Sequence, residues 1–461
     1  MDKLARYYSP SLEKLSREDI LNIQNKRLIS QIEYIYNTNS FYRNKFKEAH
    51  IKPEDIKSVK DLKRLPISTK KDFVKDQEEH PPYGHRLGIP VEKIAHITTT
   101  AGTSGQGVEL HCLTARDLQT AINASAMAFY WCGLRRGEVA VFNVGLGNHI
   151  GGWIFLEGIR ALGQASYLIG HLSFIDRLTH MQKYGVHGMW ASVSMLNGLS
   201  VLCQEQGIDP KKAFPNLKFI LVAAEPHALP WALKMEEFWG AKIFEDYGSS
   251  QSAAISASTC EQGVAVDNRR GIQHFYEWGW VQEVIDPNTG EDVLPGETGE
   301  LVVTCLEKEA SPVIRFGTKD RVRYLPYTYC KCGRALDGIE AGTISRLDDM
   351  IKVKGTNFWP VQVDNVLFTH EEVEEYQGRV FIGIKGRDEI EILLAFKDKY
   401  RELPEQAKSQ IMNAISEDLK KSTELTMKVI EIERDKLPVW HTPERKARRW
   451  TDERLKQMAS G

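Results

Sequence analysis

The sequence has no apolar run near the roughly 18 residues that a membrane-spanning helix needs. Its opening, Met1-Asp2-Lys3-Leu4-Ala5-Arg6-Tyr7, lacks the apolar core of a secretory signal, so a cytoplasmic location with no membrane partner is expected. Net charge is also scarce. The 60 Lys and Arg residues against 62 Asp and Glu leave −2, too little for a global field that would recruit nucleic acid. Seven cysteines are few and odd in number for 461 residues, which argues against a disulfide-built secreted fold. No internal repeat or low-complexity tract is evident, which argues against a solenoid.

What is present is an ordinary globular composition, 42% hydrophobic and 26% charged, at a length too great for one compact core. Leu15, Ile20, Ile23, Leu28, Ile32 and Ile35 recur at helical spacing between Ser11 and Tyr36, with Ser16 as a cap. From Ile94 to about Asp320, short apolar runs such as Val139–Phe142, Phe219–Val222 and Lys242–Phe244 alternate with longer helical patterns. That alternation predicts crossover units and an α/β core with a largely parallel sheet. Near residue 280 strands and turns take over, as in Trp280–Ile285 and Gly299–Thr304, and predict an antiparallel module attached to the main body. Beyond Arg346, two alternating runs flank Lys385-Gly386-Arg387-Asp388, which reads as a hairpin connection. A helical stretch from Pro404 to Lys421 and a strand-like Met427–Ile432 follow. Two domains are therefore expected: 1–347, large and built of several subdomains, and 348–461, a small α+β unit.

The first segment with chemistry in it is Thr98-Thr99-Thr100-Ala101-Gly102-Thr103-Ser104-Gly105-Gln106-Gly107. Clustered glycines let successive backbone N–H groups converge on an anion, and the hydroxyls add donors. It has no Walker lysine and neither Rossmann nor kinase spacing, so alone it reads equally as a surface loop. Further along come Ala223-Ala224-Glu225-Pro226, Glu245-Asp246-Tyr247-Gly248-Ser249-Ser250-Gln251 and Arg315-Phe316-Gly317-Thr318-Lys319-Asp320. Then follow Arg346-Leu347-Asp348-Asp349 and the basic Arg445-Lys446-Ala447-Arg448-Arg449. In this order and spacing, the set resembles the phenylacetate–CoA ligase family of the adenylate-forming superfamily, over nearly the whole chain.

The resemblance implies ATP-dependent ligation of an aryl or arylalkyl carboxylic acid to CoA through an acyl-adenylate, with magnesium. It also implies that the small C-terminal domain is mobile. An adenylyltransferase that stops at an AMP-linked product, or an impaired nucleotide- or acyl-binding homologue, are the alternatives. Carried over position by position, Thr99, Thr100, Gly102, Thr103, Ser104 and Gly105 would hold the β- and γ-phosphates. Ala224, Glu225 and Pro226 would wall the adenine opposite Tyr247, with Asp246 and Gly248 beside it. Ser250 would reach the α-phosphate, Asp320 both ribose hydroxyls, and Arg346 ribose or phosphate. Asp348 would be the hinge and Lys446 the catalytic lysine, although the basic tail alone reads as a solvated face. His149 and Gly151, in the stretch Asn143–Gly152, would border the acyl group, with Trp131, Trp153 and Trp190 as added bulk; His149 reads equally as a structural histidine.

Three positions depart from the family pattern. Gln106 stands where the loop usually has lysine, Gln251 where a magnesium-holding glutamate is usual, and Ser345 where glycine precedes the arginine. An amide oxygen at Gln251 can still ligate the ion, without the carboxylate charge. Cys330 and Cys332 form a tight thiol pair suited to zinc. The resemblance adds Cys260 and His274 as the remaining ligands; ordinary reduced cysteines are the other reading. Homodimeric assembly is a family-based expectation.

Overall fold

The computed structural model describes residues 6–100, 107–148, 150–223, 225–353, 356–383, 388–437 and 449–454. Near the N-terminus the helical pattern divides at Ser16. A short helix, Pro10–Glu13, precedes Arg17–Thr38. The Asp19 amide donates to the Ser16 hydroxyl at 3.1 Å, and the Ser16 amide donates to the Asp19 carboxylate at 3.3 Å. These reciprocal bonds satisfy two donors at the helix start, so the longer helix begins at its cap rather than at Ser11. Its apolar stripe of Ile20, Leu28, Ile32 and Ile35 is buried in the main core.

Among the described residues a twelve-stranded sheet forms the frame. From one edge it runs Ala165–Leu168, Val139–Phe142, Gly188–Ser192, Phe219–Ala223 and Lys242–Ser249, all parallel. The residues of Phe219–Ala223 are all buried, as expected of a strand covered by helices on both faces. The direction then reverses. Ala254–Thr259 pairs antiparallel with both Lys242–Ser249 and Ile272–Phe275. The sheet continues through Gly338–Glu340, Phe316–Leu325, Thr298–Cys305 and Trp280–Ile285. The antiparallel strands expected as an attached module thus extend the same sheet, because Ala254–Thr259 hydrogen-bonds on both of its edges.

The C-terminal residues build a second, four-stranded sheet in the order Lys428–Glu431, Asp388–Phe396, Val373–Ile382 and Trp450–Asp452. The helices Pro360–Leu367 and Glu405–Thr423 accompany it. Its hydrophobic cluster, which includes Val353, Tyr376, Ile392 and Leu419, draws only on residues between Ile351 and Trp450. The expected turn at Lys385–Arg387 lies outside the described residues, but its flanks pair antiparallel as predicted, Ile382 opposite Asp388. No described helix is long and apolar enough to cross a membrane.

Candidate active site

The hydroxyl- and glycine-rich segment rises from a two-stranded hairpin, His96–Thr99 against Leu110–Leu113. Thr100 N–H donates to the Glu109 carbonyl at 2.9 Å, and Glu109 N–H donates back to Thr100 Oγ1 at 3.0 Å. This pair closes the base of the loop. Thr99 N–H and Thr98 Oγ1 both donate to the Asn148 carbonyl, at 3.1 and 2.5 Å, so the hairpin is tied to the stretch expected beside the acyl group. Gly102, Thr103, Ser104, Gly105 and Gln106 lie outside the described residues, as do Ala224, His149 and Lys446.

The tyrosine motif ends the Lys242–Ser249 strand and turns at Ser250, whose carbonyl accepts from Ala253 N–H at 3.3 Å. Tyr247 is buried, and its hydroxyl donates to Asp320 Oδ2 at 2.6 Å. Burial, then the Asp320 charge, push its phenol well above the ordinary value. Arg346 Nη1 donates to Asp320 Oδ1 at 2.9 Å and to the Thr318 carbonyl at 2.7 Å. Strand pairing sets this contact, because Asp320 and Arg346 are register partners. Tyr247, Asp320 and Arg346 therefore form one cluster, with Asp348 in the turn Leu347–Asp349 directly after it.

The wall around Pro226 is held from behind. Ser194 N–H and Oγ donate to Glu225 Oε2 at 2.7 and 2.6 Å, which places the Glu225 carboxylate at the start of the helix Val193–Glu205. His227 N–H donates to the Gly342 carbonyl at 3.1 Å, and Gly342 N–H donates to Glu245 Oε2 at 2.6 Å. A Cβ on Gly342 would stand 2.7 Å from the His227 carbonyl oxygen, and its φ is +75°, so only glycine fits.

A charged group not anticipated from the sequence lies between the loop and the tyrosine motif. Glu109 is fully buried, and its Oε2 accepts from Gln251 Nε2 at 2.6 Å. His111 Nε2 is 2.6 Å from Glu109 Oε1, and Arg86 Nη2 is 3.8 Å from the same oxygen. Arg86 Nη1 stands 3.4 Å from His111 Nδ1; a guanidinium only donates, so Nδ1 accepts and Nε2 carries the hydrogen. Burial opposes charge on Glu109, but His111, Arg86 and Gln251 outweigh it and lower its pKa to about 2. Burial in turn lowers His111 to about 4, so it is neutral beside an ionised Glu109. Lys308 Nζ donates to the Gln251 carbonyl at 2.8 Å and completes the surroundings. Glu109 thus brings a carboxylate to the place where Gln251 lacks one.

Beyond Asn148, the helix Ile150–Ala161 includes Gly151. Trp190 stacks on Phe142 at 4.7 Å and lies 5.3 Å from Phe155, whereas Trp153 is 40% exposed, with its indole N–H on the Gly147 carbonyl. Trp131 is buried, and its indole donates to Glu13 Oε2 at 2.8 Å. Of the three tryptophans, Trp190 is the one packed with the aromatic wall next to Asn143, whose amide donates to the Trp190 carbonyl at 3.2 Å.

Cys260, His274, Cys330 and Cys332 converge, each offering one ligand atom with all four atoms within 4.8 Å of one another. Cys260 Sγ to Cys330 Sγ is 3.7 Å, and Cys332 Sγ to His274 Nε2 is 3.5 Å. A tetrahedral zinc with bonds of about 2.3 Å to sulfur and about 2.05 Å to nitrogen has edges of about 3.8 and 3.6 Å. His274 Nδ1 is 2.8 Å from the Leu336 carbonyl, which fixes the ring with Nε2 toward the sulfurs. Cys112, Cys132, Cys203 and Cys305 are buried, as expected of small hydrophobes.

A mixed sheet carrying a Tyr–Asp–Arg cluster, followed by a small four-stranded α+β unit, is the architecture of an adenylate-forming enzyme. The AMP-binding enzyme family model matches residues 36–305, more than half of the chain, and the AMP-binding enzyme C-terminal domain model matches residues 355–454. The chain belongs to the AMP-binding enzyme family. It is 29% identical to a phenylacetate-coenzyme A ligase of Thermus thermophilus over 87% of each chain. It is 28% identical to another from Aromatoleum evansii over 77% of each. A solved 2-hydroxyisobutyryl-CoA ligase in its postadenylation state, bound to 2-HIB-AMP, superposes with a TM-score of 0.88 at 22% identity, covering 100% of this chain and 96% of that one. The thioesterification state of the same ligase gives 0.70, over 99% and 95%.

Proposed function

We propose that the protein is an AMP-forming ligase that joins an aromatic or arylalkyl carboxylic acid to CoA. The observation that carries this reading is the contact between Gln251 and Glu109. It joins the base of the loop to the tyrosine motif, and Tyr247 joins that motif to Asp320 and Arg346. In the first half-reaction a substrate carboxylate oxygen attacks the α-phosphorus of ATP, the bond to the β-phosphate breaks, and pyrophosphate leaves. In the second, the CoA sulfur attacks the acyl carbon and AMP departs with the bridging oxygen.

Asp320 would accept from the ribose hydroxyls, giving up its bond from Tyr247 as that ring meets adenine. Arg346 would hold Asp320 in place and offer donors to the phosphate. The loop from Thr99 to Gly105 would bind the outer phosphates through backbone N–H groups. Lys446 would stabilise charge between the carboxylate and the α-phosphate, and rotation near Asp348 would exchange that arrangement for thioester formation.

The residues at the loop base fit magnesium. Glu109 occupies the amide N–H of Gln251, so the Gln251 Oε1 would be the atom to hold the ion. The ion would neutralise phosphate charge as pyrophosphate leaves. The Cys260, His274, Cys330 and Cys332 set fits a structural zinc, which would clip the Cys330–Gly333 loop to the sheet. A cytoplasmic location and homodimeric assembly complete the reading. The first rests on the small, odd cysteine count, the second on the family resemblance.

The test is acid-dependent exchange of pyrophosphate into ATP across a panel of carboxylic acids, followed by CoA-dependent release of AMP. Exchange with release identifies the ligase. Exchange without CoA-dependent release would leave an adenylyltransferase, and no exchange would reject the reading.

A further inference from the structure

Asp246 precedes Tyr247 on the Lys242–Ser249 strand, so its side chain leaves the opposite face from Tyr247 and Glu245. It is 4% exposed, and neither carboxyl oxygen has a hydrogen-bond partner among the described residues. Its cross-strand neighbour is Ser258. Ser258 Oγ and Tyr276 OH are buried close to each other, and Trp190 Nε1 is buried without a hydrogen bond of good geometry. The Trp190 N–H is close enough to favour the charged carboxylate, yet burial and the nearby Glu245 hold that carboxyl well above the usual range. The face around these atoms is aromatic: Trp190 stacks on Phe142, and Tyr276 lies 5.5 Å from Trp131. Native interiors rarely leave both oxygens of a buried carboxyl unpaired, and an apolar wall with a few converging polar atoms is how pockets fix a ligand's orientation.

The location links this face to the acyl group. Trp190 is joined through its carbonyl to Asn143, at the head of the stretch expected beside the substrate. Asp246 itself is one peptide from the residue that meets the nucleotide. We propose that Asp246 and Trp190 bind a hydroxyl group carried by the acyl portion of the acid, so that the substrate class is a hydroxyl-substituted aryl or arylalkyl carboxylic acid. This rests on the ligase reading above. A hydroxyl donates to the Asp246 oxygen and accepts from the indole N–H at the same oxygen atom. An amino substituent would place a second donor against the indole, and an unsubstituted ring would leave both groups unpaired. Asp246 therefore serves the acid rather than the nucleotide beside which the motif places it.

The experiment compares kcat/KM for CoA thioester formation with phenylacetate, benzoate, their 2-, 3- and 4-hydroxy isomers and the matching amino acids of the ring. The wild type is expected to favour the best hydroxy isomer over its parent acid by at least about tenfold. Asp246→Leu should bring that ratio close to one, and Asp246→Asn should give an intermediate ratio, in variants whose melting confirms folding. A wild type that uses no hydroxy isomer better than its parent overturns the proposal without any variant, as does a preference for the amino series. Absence of acid-dependent exchange with every acid would instead overturn the ligase function itself.

Discussion

Moving one negative charge from residue 109 to residue 251 probes the buried pair most sharply. Glu109 ionises at about 2 rather than the ordinary 4.5, a difference worth roughly 3 kcal/mol of differential stabilisation. Because the folded value is depressed, that stability is present above about pH 4.5 and is lost as pH falls through about 2. Glu109→Gln keeps an acceptor for Gln251 Nε2 but leaves the buried Arg86 without its anion. It should cost roughly 3 kcal/mol in urea unfolding and raise the half-saturating magnesium concentration about 10–100-fold, the usual effect of losing an outer-shell carboxylate. Gln251→Glu alone would set a second carboxylate where the side chains already meet at 2.6 Å. At about 4 Å and an effective dielectric near 20, repulsion is about 4 kcal/mol, so one carboxyl takes a proton and activity falls. The double variant Glu109→Gln/Gln251→Glu relocates the charge and should recover most of both losses. Pyrophosphate exchange titrated against free magnesium reads the effect. Additive losses in the double variant, or unchanged magnesium dependence in Glu109→Gln, would show that the two side chains do not share one charge site.

Three further outcomes are expected. Lys446→Ala should slow acyl-adenylate formation by about 10²–10³-fold while still converting supplied acyl-adenylate and CoA to thioester; wild-type pyrophosphate exchange would remove the lysine from catalysis. Protein purified without chelator should hold one zinc, and Cys330→Ser with Cys332→Ser none; elemental analysis finding no zinc in the wild type rejects the site. His111 is lowered to about 4 from 6.5, chiefly by burial, so the unfolded chain binds more protons between those values. Stability should be full above about pH 6.5 and fall by roughly 3 kcal/mol toward pH 4, and His111→Gln should flatten that slope in urea midpoints measured across the window. An unchanged slope would contradict the buried neutral histidine.

The order and spacing of motifs made Tyr247, Asp320 and Arg346 legible in the sequence, and strand register then brings the last two together. Glu109 was not legible. Val108-Glu109-Leu110-His111 carries charge where a strand beside a loop ordinarily meets solvent. Its burial depends on Arg86 and Gln251, which are separate in sequence and contact it only in the fold. Asp246 illustrates the opposite case. The period-2 alternation of a strand already implies that its side chain faces away from Tyr247, whereas the motif read as a unit does not separate the two faces. The antiparallel strands are legible as strands in the sequence, yet their continuity with the parallel sheet is not, because periodicity reports a strand's faces and not its partner. The start of the long helix at Ser16 was legible from its cap, whereas the short separate helix Pro10–Glu13 before it was not.

In the proposed reaction a carboxylate attacks the α-phosphorus of ATP and CoA then displaces AMP. It is tested most directly with an acid labelled with ¹⁸O in both carboxyl oxygens, ATP and CoA, the AMP being recovered for mass spectrometry. Attack at phosphorus followed by thiolysis at the acyl carbon predicts thioester formation with one ¹⁸O in each AMP released. Unlabelled AMP, or ADP with the label in inorganic phosphate, would contradict it.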